Sequence, residues 1–313
     1  MDYVLLILGF ILLVIGGEYL VRSSVALSFK LKLSKMMIGL TVVSFATSAP
    51  ELLVSVQAAF DDFSDVSLGN VIGSNIANIG LVLGLSSMLT VIAVEKDFYQ
   101  VNWPVMLILS GLLYLFLWTD LTLARWEGVV FLIIIVSYIL YLLKNSKIVT
   151  VPEEADEQLK KTSNIKIIFW LILGAAALYF GSEWLVDGAV GLSKSFGISQ
   201  RVISVSIIAV GTSVPELAAS IISIIKGEKA ISLGNLIGSN IFNIASVLGI
   251  TAILKPIQVE STEILSNDII WMIAIAAVTL PLAIIKPKNK FTRWNGFLLF
   301  TGFIIFNILA YYD

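Results

Sequence analysis

The stretch from Gly16 to Gly84 returns without a gap as Gly181–Gly249, 165 residues further along the chain. Glu18 falls on Glu183, Pro50 on Pro215, and Gly69-Asn70-Val71-Ile72-Gly73-Ser74-Asn75-Ile76 on Gly234-Asn235-Leu236-Ile237-Gly238-Ser239-Asn240-Ile241. Identical polar residues in register within apolar sequence are hard to obtain by chance. They constrain the fold to two related halves. Within the repeat, Glu51 and Glu216 are each the only charged side chain of a long apolar segment. Each follows a proline in nearly the same phrase, Thr47-Ser48-Ala49-Pro50-Glu51-Leu52 and Thr212-Ser213-Val214-Pro215-Glu216-Leu217.

Those apolar segments are long enough to cross a membrane. Runs of about 20 residues span the roughly 30 Å of bilayer hydrocarbon, and spans are predicted near 3–25, 36–60, 66–92, 101–118, 125–143, 166–190, 201–225, 231–254, 268–285 and 292–311. The expected fold is therefore all-α and polytopic, with ten transmembrane helices. The first span lacks a basic start and a small-residue cleavage site, so it is expected to be retained rather than removed as a leader. A carboxylate near the bilayer centre costs about 2.5–3.5 kcal/mol on insertion scales. Two of them, duplicated with their prolines, point to a cation site between two halves of a transporter.

Basic residues set the expected orientation. If both termini lie outside, the loops at 28–35, 94–101, 144–166, 226–230 and 286–293 share one side, which with Arg22 holds 16 of the 20 lysines and arginines. Positive charge marks the cytoplasmic side. Five spans per half is an odd number, so the second half is expected to enter the bilayer inverted. The loops follow suit: Lys30, Lys32 and Lys35 correspond to Ser195, Gly197 and Gln200, and Asp61, Asp62 and Asp65 to Lys226, Gly227 and Ala230. Loop charge switches while span chemistry is kept, as in inverted-repeat transporters. The expected division is 1–143 for the first five-helix repeat, 144–165 for a solvated cytoplasmic linker, and 166–313 for the second. The linker acids Glu153, Glu154, Asp156 and Glu157 lack the spacing of an EF-hand loop. The Asp61, Asp62 and Asp65 group reads as an ordinary solvated loop. Glu18 and Glu183 are expected in structural, helix-end roles, with Glu18 able to pair with Arg22 four residues on.

Cysteine and histidine are both absent, which removes disulfides, zinc sites, and thiol or imidazole catalysis. An enzyme is not expected, and nothing resembles a nucleic-acid surface. What remains is hard oxygen. A helix proline has no N–H for the carbonyl four residues back, so Pro50 is expected to free the carbonyl of Ala46 and loosen that of Thr47. Pro215 does the same for Gly211 and Thr212. Thr47 and Glu51, like Thr212 and Glu216, stand four apart and are expected on one helix face. Gly73-Ser74-Asn75-Ile76-Ala77-Asn78 and Gly238-Ser239-Asn240-Ile241-Phe242-Asn243 add Ser and Asn at i and i+4, with glycines that permit close helix approach. Such donors suit Ca²⁺ or Na⁺ and disfavour copper or zinc. The plainer reading is that the Ser, Asn and Gly side chains only hold helices together.

On these motifs the chain resembles the calcium/cation antiporters, and among them the prokaryotic sodium/calcium exchangers, over essentially its whole length. The resemblance implies a secondary antiporter of the prokaryotic cell membrane that exchanges calcium for sodium by alternating access. Calcium and sodium ions and the lipid bilayer are its implied partners, and it needs no cofactor. It also implies a calcium site between Glu51 and Glu216, completed by the carbonyls of Thr47 and Thr212. Sodium sites would flank it, drawing on Ser48, Ser74, Ser213, Ser239, Ala209 and its counterpart Ser44, with Asn78 and Asn243 bordering the centre. Potassium-dependent relatives carry aspartate where this chain has Asn243, so potassium co-transport is not expected. A proton/calcium antiporter is the alternative; such relatives typically have Gly-Asn where this chain has Ala46-Thr47 and Gly211-Thr212, which favours sodium. Regulation by large calcium-binding domains like those of animal relatives is not expected.

Overall fold

A computed structural model describes residues 2–145, 157–196, 209–285 and 288–312. Helix dominates, as it must for backbone that has no water to bond to inside a bilayer. In chain order the helices of ten residues or more are α1 (Asp2–Leu31), α2 (Lys35–Thr47), α3 (Ala49–Phe60), α4 (Ser64–Leu89), α5 (Phe98–Asp120), α6 (Arg125–Lys144), α7 (Asn164–Ser195), α8 (Val214–Ile225), α9 (Lys229–Leu254), α10 (Ile264–Ile284) and α11 (Arg293–Ala310). Eight of these are long and apolar enough to cross a membrane, and α2 with α3, bent by 42°, gives a ninth. α8 has only 12 residues. The start of the seventh expected span, 201–208, lies outside the described residues, as do linker residues 146–156.

Element bounds recur at the interval seen in the sequence. Ala49–Phe60 maps onto Val214–Ile225, Ser64–Ala77 onto Lys229–Phe242, and the π-helical segments Asn78–Leu83 onto Asn243–Leu248, each 165 residues apart. The turns after α3 and α8 match as well. Asp62 (φ 64°) and Gly227 (φ 77°) both occupy the left-handed region. The following amides, of Phe63 and Glu228, bond back to Ala58 O (2.8 Å) and Ser223 O (2.7 Å), closing the same C-cap twice. Two short antiparallel ribbons, which the apolar pattern does not predict, pair Ile92–Ala93 with Lys290–Phe291 and Thr122–Leu123 with Ile257–Gln258.

The helices group into two compact units, Met1–Thr47 with Leu142–Leu236, and Ser48–Tyr141 with Ile237–Asp313. Neither coincides with a sequence half, because each takes segments from both.

In the first unit α1 and α7 pack antiparallel along a glycine seam. A Cβ on Gly9 would lie 2.8 Å from Gly181 O, one on Gly16 2.9 Å from Gly174 O, and one on Gly188 2.7 Å from Asp2 O. Only glycine allows backbones this close, and close backbone contact replaces the hydrophobic effect as the force between helices in lipid. At 30 and 32 residues the two helices run to roughly 45 Å at 1.5 Å per residue, longer than the hydrocarbon is thick. Leu13, Leu20, Val21, Val25, Ile38, Val43, Leu178, Ala219 and Ile231 form a core cluster beneath them. Glu18 pairs with Arg22 (2.9 Å), as the sequence suggested, and also with Lys226 (2.7 Å) at the end of α8; Lys35 pairs with Glu228 (2.6 Å). These pairs are partly exposed and contribute about 0–1 kcal/mol each.

The second unit has seams of its own. A Cβ on Gly84 would lie 3.0 Å from Phe300 N, and one on Gly128 2.6 Å from Gly249 O. Its acidic loop is occupied structurally. Asp61 accepts from Gln57 (2.7 Å), Asp62 pairs with Lys255 (2.6 Å), and Asp65 accepts from the amides of Glu260 (2.9 Å) and Ser261 (2.8 Å).

Candidate cation-binding residues

Both Pro-Glu phrases break their helices rather than kink them. α2 stops at Thr47 and α3 restarts at Ala49, across Ser48 at φ −85°, ψ 2°. In the second half, helix at Ala209–Gly211 stops and α8 restarts at Val214, across Ser213 at φ −88°, ψ 1°. The prolines stand in the first turn of the new helices, where their missing N–H costs nothing. This corrects the expectation that Thr47 shares a continuous helix face with Glu51, and Thr212 with Glu216. The pairs straddle an interruption, with the threonine at a carbonyl-bearing helix end and the glutamate in the first turn of the next helix. A hard cation is served by both ends of such a break, by freed carbonyls on one side and a carboxylate on the other.

Each break also leaves a serine hydroxyl unused. Ser48-x-x-Glu51 and Ser213-x-x-Glu216 have the spacing of a capping box, yet neither serine caps its helix. Ser48 Oγ and Ser213 Oγ are buried without a hydrogen-bond partner. Glu51 and Glu216 are 0% exposed. The Glu216 carboxylate faces Thr47, but neither of its oxygens makes a hydrogen bond of good geometry. Burying a carboxylate is costly, a cost that a bound cation would relieve.

Of the expected residues, the first unit holds Ser44, Thr47, Ala209, Thr212, Ser213 and Glu216, and the second holds Ser48, Glu51, Ser74, Asn78, Ser239 and Asn243. Ser44, Thr47, Ser74 and Ser239 are buried, and Thr212 is half-buried. Only the backbone of Ala209 is described. Ser44 has a structural task, since its hydroxyl lies 2.8 Å from Gly39 O and 2.9 Å from Asn235 O. The freed carbonyl of Gly211 accepts from the Ser182 hydroxyl at 2.8 Å. Asn78 and Asn243 each open a π-helical segment, a feature that recurs at functional sites. Both are fully buried.

A further set of polar residues, given no site role on sequence grounds, ties these helices together. Asn70 donates to Glu51 O (3.2 Å) and Ser55 Oγ (2.9 Å), tying α4 to the helix that carries the first glutamate. In the other half, Asn235 reaches Ser220 Oγ (3.5 Å) and accepts from the Thr47 hydroxyl (3.1 Å). Asn75 and Asn240 bond each other's backbone. All six recur as identical residues at the 165-residue offset, and that signal could have found them. The glycines of the same motif are less uniform. Gly234 packs against α2, whereas nothing among the described residues comes within 4 Å of a Cβ placed on Gly69 or Gly73.

The whole chain has relatives. Residues 1–144 and 166–312 match the family described as sodium/calcium exchanger protein. The sodium/calcium exchanger MaX1 of Methanosarcina acetivorans is 29% identical, with 99% of each chain covered. The inner membrane protein YrbG of Escherichia coli is 32% identical, covering 98% of this chain and 96% of that one. Among solved structures, the sodium-calcium exchanger NCX_Mj superposes with a TM-score of 0.83 at 30% sequence identity, with 97% of each chain covered.

Proposed function

Since the chain belongs to the sodium/calcium exchanger family, we propose that it is an antiporter that exchanges Ca²⁺ for Na⁺, with Glu51 and Glu216 as shared charged ligands. One observation carries this reading: two buried glutamates, each in the first turn of a helix restarted after a break at the matching serine, each beside a serine hydroxyl left without a partner. Two carboxylates give a charge of −2, which one Ca²⁺ or several Na⁺ neutralise, so each load excludes the other. The empty, doubly charged site crosses poorly and a loaded one more easily, which turns competition into exchange. Backbone oxygens at the breaks, Thr47 and Thr212, complete the calcium shell in this proposal. Ser48, Ser213, Ser74, Ser239, Ser44 and Ala209 supply sodium, and Asn78 and Asn243 border the centre.

We place the chain in the prokaryotic cell membrane as ten spans in two inverted repeats, termini outside and central loop in the cytoplasm. Support comes from the lysine and arginine distribution and from the antiparallel packing of α1 with its repeat partner α7, where Gly9 meets Gly181 and Gly16 meets Gly174. The test is calcium uptake into proteoliposomes preloaded with sodium, potassium or choline, with a pH gradient imposed alone in a further arm. Uptake driven by sodium only is expected. Uptake driven by the pH gradient and indifferent to sodium would replace sodium with protons as the coupling ion.

A further inference from the structure

Asn75 and Asn240 face each other across a local pseudo-two-fold arrangement. Asn75 Nδ2 donates to Asn240 O (3.2 Å), and Asn240 Nδ2 donates to Asn75 O (3.3 Å). Each Nδ2 also lies 3.7 Å from a thioether, Met272 Sδ for Asn75 and Met106 Sδ for Asn240. Carbonyl oxygens and thioethers only accept. Turning the Asn75 amide over would set its oxygen against two acceptors, so its nitrogen is fixed and Oδ1 must point the other way. There it accepts from Asn243 Nδ2 at 3.1 Å. Asn243 in turn has no choice of nitrogen, and its own Oδ1 is left buried with no hydrogen-bond partner.

The other half provides an internal comparison. By symmetry Asn240 Oδ1 would receive Asn78, but that bond is not made. Asn240 Oδ1 and both polar atoms of the Asn78 side chain are buried without partners. One asparagine of the pair is anchored and the other is not. The helix carrying Glu51 packs directly on the π-helical segment that begins at Asn243, so the oxygen fixed by Asn75 belongs to the neighbourhood of a proposed ligand.

We propose that Asn75 is a positioning residue that orients Asn243 so that position 243 offers a bare neutral oxygen to the ion. This rests on the exchanger reading above and deepens it. A carboxylate at 243 would instead set acceptor against acceptor at Asn75 Oδ1, so this chain's neutral residue and its orienting partner belong together.

The rival role for Asn75 is simply to clamp two helices, and Asn240 is the matched control. It makes the same reciprocal backbone bond but holds no ligand in place. Calorimetric Ca²⁺ binding and thermal unfolding are measured on the purified full chain, as wild type, Asn75→Ala, Asn240→Ala, Asn243→Ala and the Asn75→Ala/Asn243→Ala double variant. Asn75→Ala should bind calcium about tenfold more weakly, the effect of one orienting hydrogen bond, and Asn240→Ala within about twofold of wild type. In the Asn243→Ala background, Asn75→Ala should add nothing, because the two act as one unit. Equal losses for Asn75→Ala and Asn240→Ala, additive losses in the double variant, or wild-type affinity in Asn75→Ala would each overturn the proposal. So would a failure of both Asn75→Ala and Asn75→Ser to fold while Asn240→Ala folds, since that marks a structural role. Calcium binding lost in Glu51→Gln but unchanged in Asn75→Ala overturns this inference alone. No calcium binding by the unmodified chain overturns the exchanger reading and this one with it.

Discussion

A buried carboxylate is kept only where something repays its desolvation, and in the proposed site a cation does so for Glu51 and Glu216. Replacing either with glutamine keeps its size and removes the charge. Each variant is expected to lose calcium affinity by about two orders of magnitude, because ligand charge sets the strength of a calcium site, while unfolding at the same or a higher temperature. Calorimetry with a parallel thermal melt checks both. The hydroxyls of Ser48 and Ser213 are unengaged, so removing one as Ser48→Ala or Ser213→Ala should cost sodium affinity about threefold or more, with calcium changing less. Isotope binding with each ion measures the difference. Transport should be indifferent to potassium, because Asn243 leaves two carboxylates and no third to hold another monovalent ion; stimulation by potassium in a flux assay would contradict that. At this scale the sequence was informative. A lone glutamate in an apolar run, repeated after proline, stands out as a candidate ligand. Asn75, Asn235 and Ser220 did not, since an asparagine or serine in a membrane helix looks the same whether it holds a ligand or a neighbouring backbone.

Elements were legible where periodicity and length decide them and obscure where local backbone does. The apolar runs located the membrane-length helices found among the described residues. They could not show that Pro50 and Pro215 would start new helices instead of kinking old ones, because proline suits both a kink and a first turn. Nor did they reveal the π-helical segments at Asn78 and Asn243, which keep an apolar helical pattern while shifting its register. The α1–α7 seam was present in the sequence as Gly9 and Gly16 against Gly174, Gly181 and Gly188, spaced by seven, yet its meaning depends on which helix lies opposite. Gly181→Leu should destabilise the protein by about 3 kcal/mol or more, since the added side chain meets backbone that has no rotamer to yield with. Gly111 has nothing within 4 Å of an added Cβ; Gly111→Ala should be neutral or slightly stabilising, as expected for a helix interior. Thermal melts of the two variants in one detergent test the contrast.

For the molecule as a whole, the repeat and the spatial grouping divide the chain differently. The repeat runs along the sequence, whereas each compact unit collects helices from both halves, and the chain passes between units at Thr47–Ser48, at Tyr141–Leu142 and at Leu236–Ile237. The first crossing falls on the helix break beside Glu51. Sequence similarity at a fixed offset records common origin and says nothing about which segments pack together, so this grouping could not be read in advance. The proposed exchange, on the other hand, depends on one set of carboxylates serving two kinds of ion. Equilibrium calcium binding to the purified chain across a series of sodium concentrations tests that sharing. Calcium affinity should fall progressively as sodium rises, and sodium affinity should fall reciprocally as calcium rises. A calcium affinity unchanged at saturating sodium would contradict the shared site.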